Sequence, residues 1–175
     1  MPAPFRGYLA ATGLALALPA ALAAQAGNLE LGLDVGFDYR VNEPHVLTIG
    51  VPTQDFRLGF GLTDRISFEP RASLDYFKVE DSDAVYTLGL GAGLLAHFSS
   101  MRKGPYVRLF GGWNRVDVGS TDASQFSAGG GIGLKAGGGK VAARLEVAYT
   151  RAFENDDFDS TDNVTALVGF SVFTR

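Results

Sequence analysis

The chain has 175 residues, a formal net charge of −4, no cysteine and only two histidines, His45 and His97. Its length fits a single domain, its charge offers nucleic acid no basic face, and the lack of thiols excludes disulfides and thiolate metal sites. Two histidines give little to build a metal centre with, so no metal or other cofactor is expected.

Residues 1–26 differ in kind from the rest of the chain. Arg6 is their one charged side chain, ahead of an uncharged Ala/Leu run from Tyr8 to Leu22 with Pro19 near its end. The small-x-small sequences Ala21-Leu22-Ala23 and Ala24-Gln25-Ala26 come next. This is the layout of a secretory signal peptide, cleaved after Ala23 or Ala26. A transmembrane anchor is the competing reading, but the run is short for a span and Pro19 interrupts it. No other stretch approaches the ~20 apolar residues of a spanning helix. Residues 27–175 are therefore expected to be exported as one domain.

Leu29 to Arg40 reads LELGLDVGFDYR, with every odd position apolar and every even one Glu, Gly, Asp or Arg. Strict period-2 alternation over that length predicts a strand. Strands are predicted near 28–40, 46–62, 65–79, 85–98, 105–116, 125–135, 140–153 and 163–173. An even count with short connections predicts an antiparallel up-and-down meander. In the second strand, Leu47, Ile49 and Val51 fall out of phase with Phe56, Leu58, Phe60 and Leu62. A β-bulge around Pro52 to Asp55 would reconcile them.

Side-chain volume decides which face meets which solvent. The bore of an eight-stranded barrel is just wide enough for side chains to fill. The polar phase here is mostly Gly, Ser, Thr and Ala, as in Thr87, Gly89, Gly91 and Gly93, or Ser127, Gly129, Gly131 and Gly133. The other phase carries the bulk, as in Ile66, Phe68, Leu74 and Tyr76, or Leu145, Val147 and Tyr149. Small residues suit the crowded inside, so the bulky phase is assigned to lipid. Only a closed barrel satisfies a sheet backbone there. Each run exceeds the ~9–11 residues of a tilted spanning strand. Outward charges such as Lys78 and Arg151 fall near strand ends. Aromatics are expected in two girdles: Tyr39, Tyr76, Tyr86, Trp113, Phe126 and Tyr149 near one rim, and Phe60, Phe68, Phe98 and Phe170 near the other. The fold class is thus all-β, an eight-stranded antiparallel up-and-down transmembrane β-barrel.

The segments RISFEP, LGLGAGLLAHF and GPYVRLFGG, with glycine-spaced strands after a signal peptide, resemble the small outer-membrane barrels of OmpA, OmpX and opacity-protein type. The resemblance runs from about Asn28 to Phe173. It implies an outer-membrane location, contact with outer-membrane lipids and lipopolysaccharide, and handling by the barrel-assembly machinery during biogenesis. There are two departures. Members commonly end on an aromatic that this machinery reads, whereas Thr174 and Arg175 follow Phe173 here. The peptidoglycan-binding domain of longer members is also expected to be missing.

The inward phase carries Glu30, Asp34, Asp38, Glu69, Asp75 and Glu146 against Arg57, Arg71, Arg108, Lys135 and Arg144. Unpaired charge in a narrow bore is costly. A salt-bridge network is therefore expected, with Arg71, Arg108 and Arg144 meeting Glu69, Asp75 and Glu146 near mid-barrel. Gly59, Gly89, Gly91, Gly131 and Gly133 are expected to make room for the arginines. Such a network reads as a structural plug; a narrow or gated small-solute pore is the alternative. His97-Phe98-Ser99 has the His-x-Ser spacing of lipid A deacylases, but His97 falls in the inward phase, so no enzymatic activity is expected.

With Asn28 at the periplasmic side, turns at 63–64, 99–104 and 136–139 are periplasmic, and connections at 41–45, 80–84, 117–124 and 154–162 lie outside. Three of these are acidic, reading EDSDA, DVGSTDAS and ENDDFDSTD. Asp157, Asp159 and Asp162 lack the glycine and closing glutamate of a calcium loop, so a solvated acidic surface is expected. Adhesion, or Mg²⁺ bridging to lipopolysaccharide phosphates, is the alternative. The expected protein is a monomeric structural or surface component of the outer membrane.

Overall fold

The computed structural model describes residues 29–41, 46–48, 54–77, 85–118, 121–155 and 158–174. The expected signal peptide, Lys78, Asp157 and the connections at 42–45 and 80–84 lie outside them, as do the side chains of Asp75 and Tyr76. The strands are β1 (Leu29–Arg40), β2 (Val46–Thr48), β3 (Gln54–Gly61), β4 (Ile66–Phe77), β5 (Val85–His97), β6 (Gly104–Val118), β7 (Thr121–Gly138), β8 (Val141–Ala152) and β9 (Thr161–Phe173). From β3 onward each strand pairs antiparallel with the next, and β9 returns to β1. Strands β2 and β3 both pair with β1, at opposite ends of it, and together make one stave. The sheet is a closed barrel of eight staves.

Closure has a measurable stagger. The pairs Leu29–Phe60, Phe60–Phe68, Phe68–Leu94, Leu94–Leu109, Leu109–Gly130, Gly130–Tyr149 and Tyr149–Val164 lead around the wall. Val164 then pairs with Tyr39, ten residues beyond the starting Leu29. That shear tilts the staves and fixes a narrow bore. It also orders the inward residues by height, from the end with both described termini and the short turns (the turn end) to the end with the longer connections (the loop end).

The outer wall is apolar. Leu109 is 73% exposed, Ile132 67% and Phe126 67%, alongside many other large hydrophobic side chains. A continuous apolar surface of this kind is incompatible with water and suits a bilayer. Tyr39, Tyr86, Phe126 and Tyr149 sit on it toward the loop end, and Phe98 and Phe170 toward the turn end. Phe60 departs from the expected girdle: it is buried, flanked by its cross-strand partners Leu29 and Phe68.

Three boundaries differ from the sequence reading. Strands β6 and β7 run on through most of the expected loop at 117–124, pairing Arg115 with Ser124 and Asp117 with Asp122. Residues 119–120 lie outside the described ones. Beyond the bilayer both strand faces meet water, so hydropathy no longer alternates and pattern reading stops too early. At the turn end, β7 likewise continues through Gly138, leaving Gly139–Lys140 as the turn. In the second stave, four steps along β1 from Asp38 to Asp34 face seven from Thr48 to Asp55. The surplus of three is odd, so it reverses the phase and sets Leu47 opposite Tyr39 and Leu58 opposite Leu31. Pro52 and Thr53, inside the expected bulge, lie outside the described residues.

The turns are locally specified. Thr63 Oγ1 accepts hydrogen bonds from the N–H groups of Arg65 and Ile66 at 3.2 and 3.0 Å. Gly104 and Gly139 take φ of 95° and 73°, where other residues are strained.

Candidate functional site: the charged lumen

Alternation delivers charges from six staves into the bore. Glu30, Asp34, Arg57, Glu69, Arg108, Lys135, Arg144 and Glu146 are all buried, four acids against four bases. Arg57 on β3 is the hub. Its Nη1 donates to Glu30 Oε1 at 3.0 Å and Glu69 Oε2 at 3.2 Å, and its Nη2 donates to Asp34 Oδ1 at 2.9 Å. Its Nε lies 2.6 Å from Asp34 Oδ2. Arg144 reaches across the bore to Glu69 at 2.7 Å and along its own strand to Glu146 at 2.5 Å. Arg108 donates to Glu146 through Nε at 2.8 Å and through Nη2, and the Tyr106 hydroxyl donates to the other carboxylate oxygen at 2.6 Å. Nearer the turn end, Lys135 and the Ser171 hydroxyl each donate to Glu30 at 2.5 Å.

Arg71 forms the upper edge. It donates to Glu69 and Asp55 at 3.0 Å each and to Asp34 at 3.5 Å. Two pairs of cations lie directly opposite each other in the ladder, Arg57 with Arg71 and Lys135 with Arg144. Like charges in that position repel. Here shared carboxylates separate them: Glu69 and Asp34 serve both Arg57 and Arg71, and Glu30 neutralises Lys135.

Of the expected contacts, the structure brings together Arg71 with Glu69, Arg144 with Glu69 and Glu146, and Arg108 with Glu146. Asp75 is set opposite Thr87, well above Glu69 toward the loop end, and its side chain lies outside the described ones. Arg57 takes the centre instead. Asp38 accepts from Thr165, above the network. Asp55, Tyr106 and Ser171 were not singled out in the sequence. Asp55 was concealed by the phase reversal in its stave. Tyr106 shares its phase with Arg108 in PYVRLF, and that parity was the available signal.

The glycine that accommodates the hub also differs from expectation. A Cβ on Gly32, opposite Arg57, would collide with the guanidinium, whereas Gly133 accommodates the Tyr106 ring and Gly59 the Glu30 side chain and Met101. Gly32→Val is expected to displace Arg57 and cost about 1–3 kcal/mol, read as a lower urea midpoint for refolded protein. Unchanged stability would show that Arg57 can swing aside.

The turn end holds an apolar layer. Met101, Ala142 and Phe173 form a buried apolar cluster, and Phe173 therefore faces inward. Arg102 and Lys135 lie 5.5 and 5.7 Å from its ring centroid. Buried His97 meets Ser67 Oγ at 2.9 Å through Nε2. Ser99, its partner in the deacylase spacing, is exposed, and Phe98 points to the outer wall. Toward the loop end the bore is hollow: a cavity of about 230 Å³ lies above Arg71, Arg108, Phe110 and Leu167.

No protein-family model matches the chain, and no curated protein does. Solved structures do. Neisserial surface protein A superposes with a TM-score of 0.65 at 15% identity, covering 83% of this chain and 98% of that one. Ail, the attachment invasion locus protein of Yersinia pestis, gives 0.51 at 12% identity over 84% and 98%. The outer membrane protein AlkL gives 0.52 at 16% identity over 85% and 90%. This is the fold of the small outer-membrane barrels. The resemblance read from RISFEP, LGLGAGLLAHF and GPYVRLFGG thus holds at the level of fold. In this outer-membrane barrel fold the apolar wall and the charged bore are two consequences of one alternation.

Among the described residues no cluster of three metal-ligating side chains occurs. Asp162 instead accepts from the Tyr149 hydroxyl at 2.5 Å and lies 3.6 Å from Arg151. Arg151, an outward cation expected near a strand end, lies beside Asp162, and Arg115, which was not among those expected, lies beside Asp117.

Proposed function

We propose that the protein is a monomeric structural or surface component of the outer membrane, exported with a cleaved signal peptide, with a lumen plugged against solute passage and no enzymatic activity. Its turn end faces the periplasm, and its wall contacts outer-membrane lipids and lipopolysaccharide once the assembly machinery has inserted it. One observation carries the plug: Arg57 holds three buried carboxylates at mid-bore, above the Met101–Ala142–Phe173 cluster. A solute would have to part both layers, and each broken pair would leave an uncompensated charge in a dry bore. His97 lacks an accessible nucleophile, since its partner Ser67 is itself buried.

The protein should require detergent for extraction and migrate faster on gels before heating than after. In planar bilayers it should give no reproducible conductance steps. Steps abolished by Arg108→Ala or Glu146→Ala would replace the plug with the narrow-pore reading, in which ion-pair exchange opens a path. Lipid A modification lost on His97→Ala would overturn the non-enzymatic reading.

A further inference from the structure

The outer wall is not smooth. Toward the turn end a groove of about 560 Å³ crosses it from β5 to β9, within the ~300–1,000 Å³ typical of ligand sites. Its lower side is the outward row Phe98, Pro105, Leu134, Leu145 and Val168, and Ala166 lies at its far end on β9. Glu146 meets it only through backbone, because Arg108 and Arg144 hold the carboxylate inward. The groove itself is apolar.

Nor is it level. The Phe98 N–H donates to Pro105 O at 3.0 Å, and Pro105 is the second residue of β6, so this end lies at the rim. The row then leads through Leu134 and Leu145 to Val168, five residues before the end of β9. The stagger that closes the barrel thus carries the groove from the rim into the apolar belt. The rim at its mouth is cationic. Arg65 O accepts from the His97 N–H at 2.7 Å, which sets Arg65 beside the foot of β5, and Lys103 lies two residues before Pro105. Across the turns at 62–65, 98–104 and 139–140, Arg65, Arg102, Lys103 and Lys140 face a single acid, Asp64. Arg65, Lys103 and Lys140 are exposed, and no carboxylate pairs with them among the described residues.

An apolar groove that opens between unpaired cations selects a molecule with a hydrocarbon tail and an anionic head. A second copy inserted in the same direction would bring its own basic rim against these cations, and a soluble anion would leave the groove unfilled. We propose that the groove holds one acyl chain of an anionic glycerophospholipid from the leaflet at the turn end, with its phosphate between Arg65 and Lys103. The proposal rests on the reading of the wall as lipid-facing with its turn end at the periplasm.

The test places the protein in phosphatidylcholine vesicles with an indole at the groove mouth, Phe98→Trp in a Trp113→Phe background. Its quenching by brominated phosphatidylglycerol is compared with quenching by brominated phosphatidylcholine. Quenching by phosphatidylglycerol should saturate at low mole fraction, with a preference of about fivefold or more, the factor that one cation at a membrane surface supplies. Arg65→Gln with Lys103→Gln should remove the preference. Ala166→Phe, which fills the deep end of the groove, should abolish the saturable component while the heat-dependent gel shift persists. Equal quenching by the two lipids, or a preference that survives loss of both cations, would overturn the headgroup assignment. Quenching that rises linearly with mole fraction, or that ignores Ala166→Phe, would overturn the groove. Displacement by soluble glycerol phosphate would assign the cations to a free anion, and quenching that falls as protein is added would put a second barrel on the groove; either result overturns the proposal. An indole quenched by neither lipid would sink the membrane reading itself, so the two readings fail separately.

Discussion

Replacing Arg57 by methionine is expected to destabilise the barrel by about 3–5 kcal/mol, the usual consequence of deleting one member of a buried charge network. Arg57 contacts Glu30, Asp34 and Glu69, all buried; Lys135, Arg71 and Arg144 keep a contact to each, but without Arg57 the four buried acids of the network face only three buried bases. Methionine fills similar volume, so the loss is electrostatic rather than a cavity effect. Urea unfolding from lipid vesicles, followed by the fluorescence of Trp113, the single tryptophan, would measure it. Arg71→Met should cost clearly less, because the Arg71 side chain is 11% exposed and its partner Asp55 19%, at the edge of the hollow half. Equal costs for the two substitutions would show that the network has no hub.

A cation on the outer wall should be comparably damaging for the opposite reason. Leu109, 73% exposed and five residues along its strand from the turn end, is expected to cost about 2–4 kcal/mol when changed to arginine in a bilayer. On a water-exposed surface the same change would fall within roughly ±0.5 kcal/mol. Gly111→Arg lies on the same face nearer the loop end, and its cost should be lower because the long side chain reaches the headgroups. The comparison of refolding yields in vesicles and of urea midpoints checks both. Indifference to Leu109→Arg would place that face in water and remove the basis for a membrane barrel.

Much of this fold is legible in the chain because a barrel wall has two environments and strands have period two. The even positions of LELGLDVGFDYR from Glu30 to Asp38 turn inward, and glycine-rich β5 and β7 show which side is crowded. Charge identity was legible for the same reason. Pairing was legible only in part. Arg144 meets Glu69 and Arg108 meets Glu146 as expected, whereas Lys135 on β7 meets Glu30 on β1 across the bore, where no ladder neighbour points to it. Period-two reading locates a residue on a face but says nothing of its reach across an interior. Arg57 became the hub through this geometry and through the space at Gly32, neither of which a strand pattern encodes. Where water bathes both faces, as along Arg115 to Val118 opposite Thr121 to Ser124, alternation fails and only the pairing reveals the strand.

The junction between β1 and β9 runs from Glu30–Phe173 to Arg40–Asn163 without interruption, and Thr174 N–H adds a hydrogen bond to Leu29 O at 3.1 Å. That seam leaves no loose selvage from which peeling can start; among the described residues only β2 is paired on one side alone, with β1. Removing any stave means tearing two ladders at once, while the ion pairs spanning the middle tie opposite sides together like spokes. Loss of structure should therefore come as a single collapse rather than as fraying from an end, with the first and last staves as firmly held as those between them.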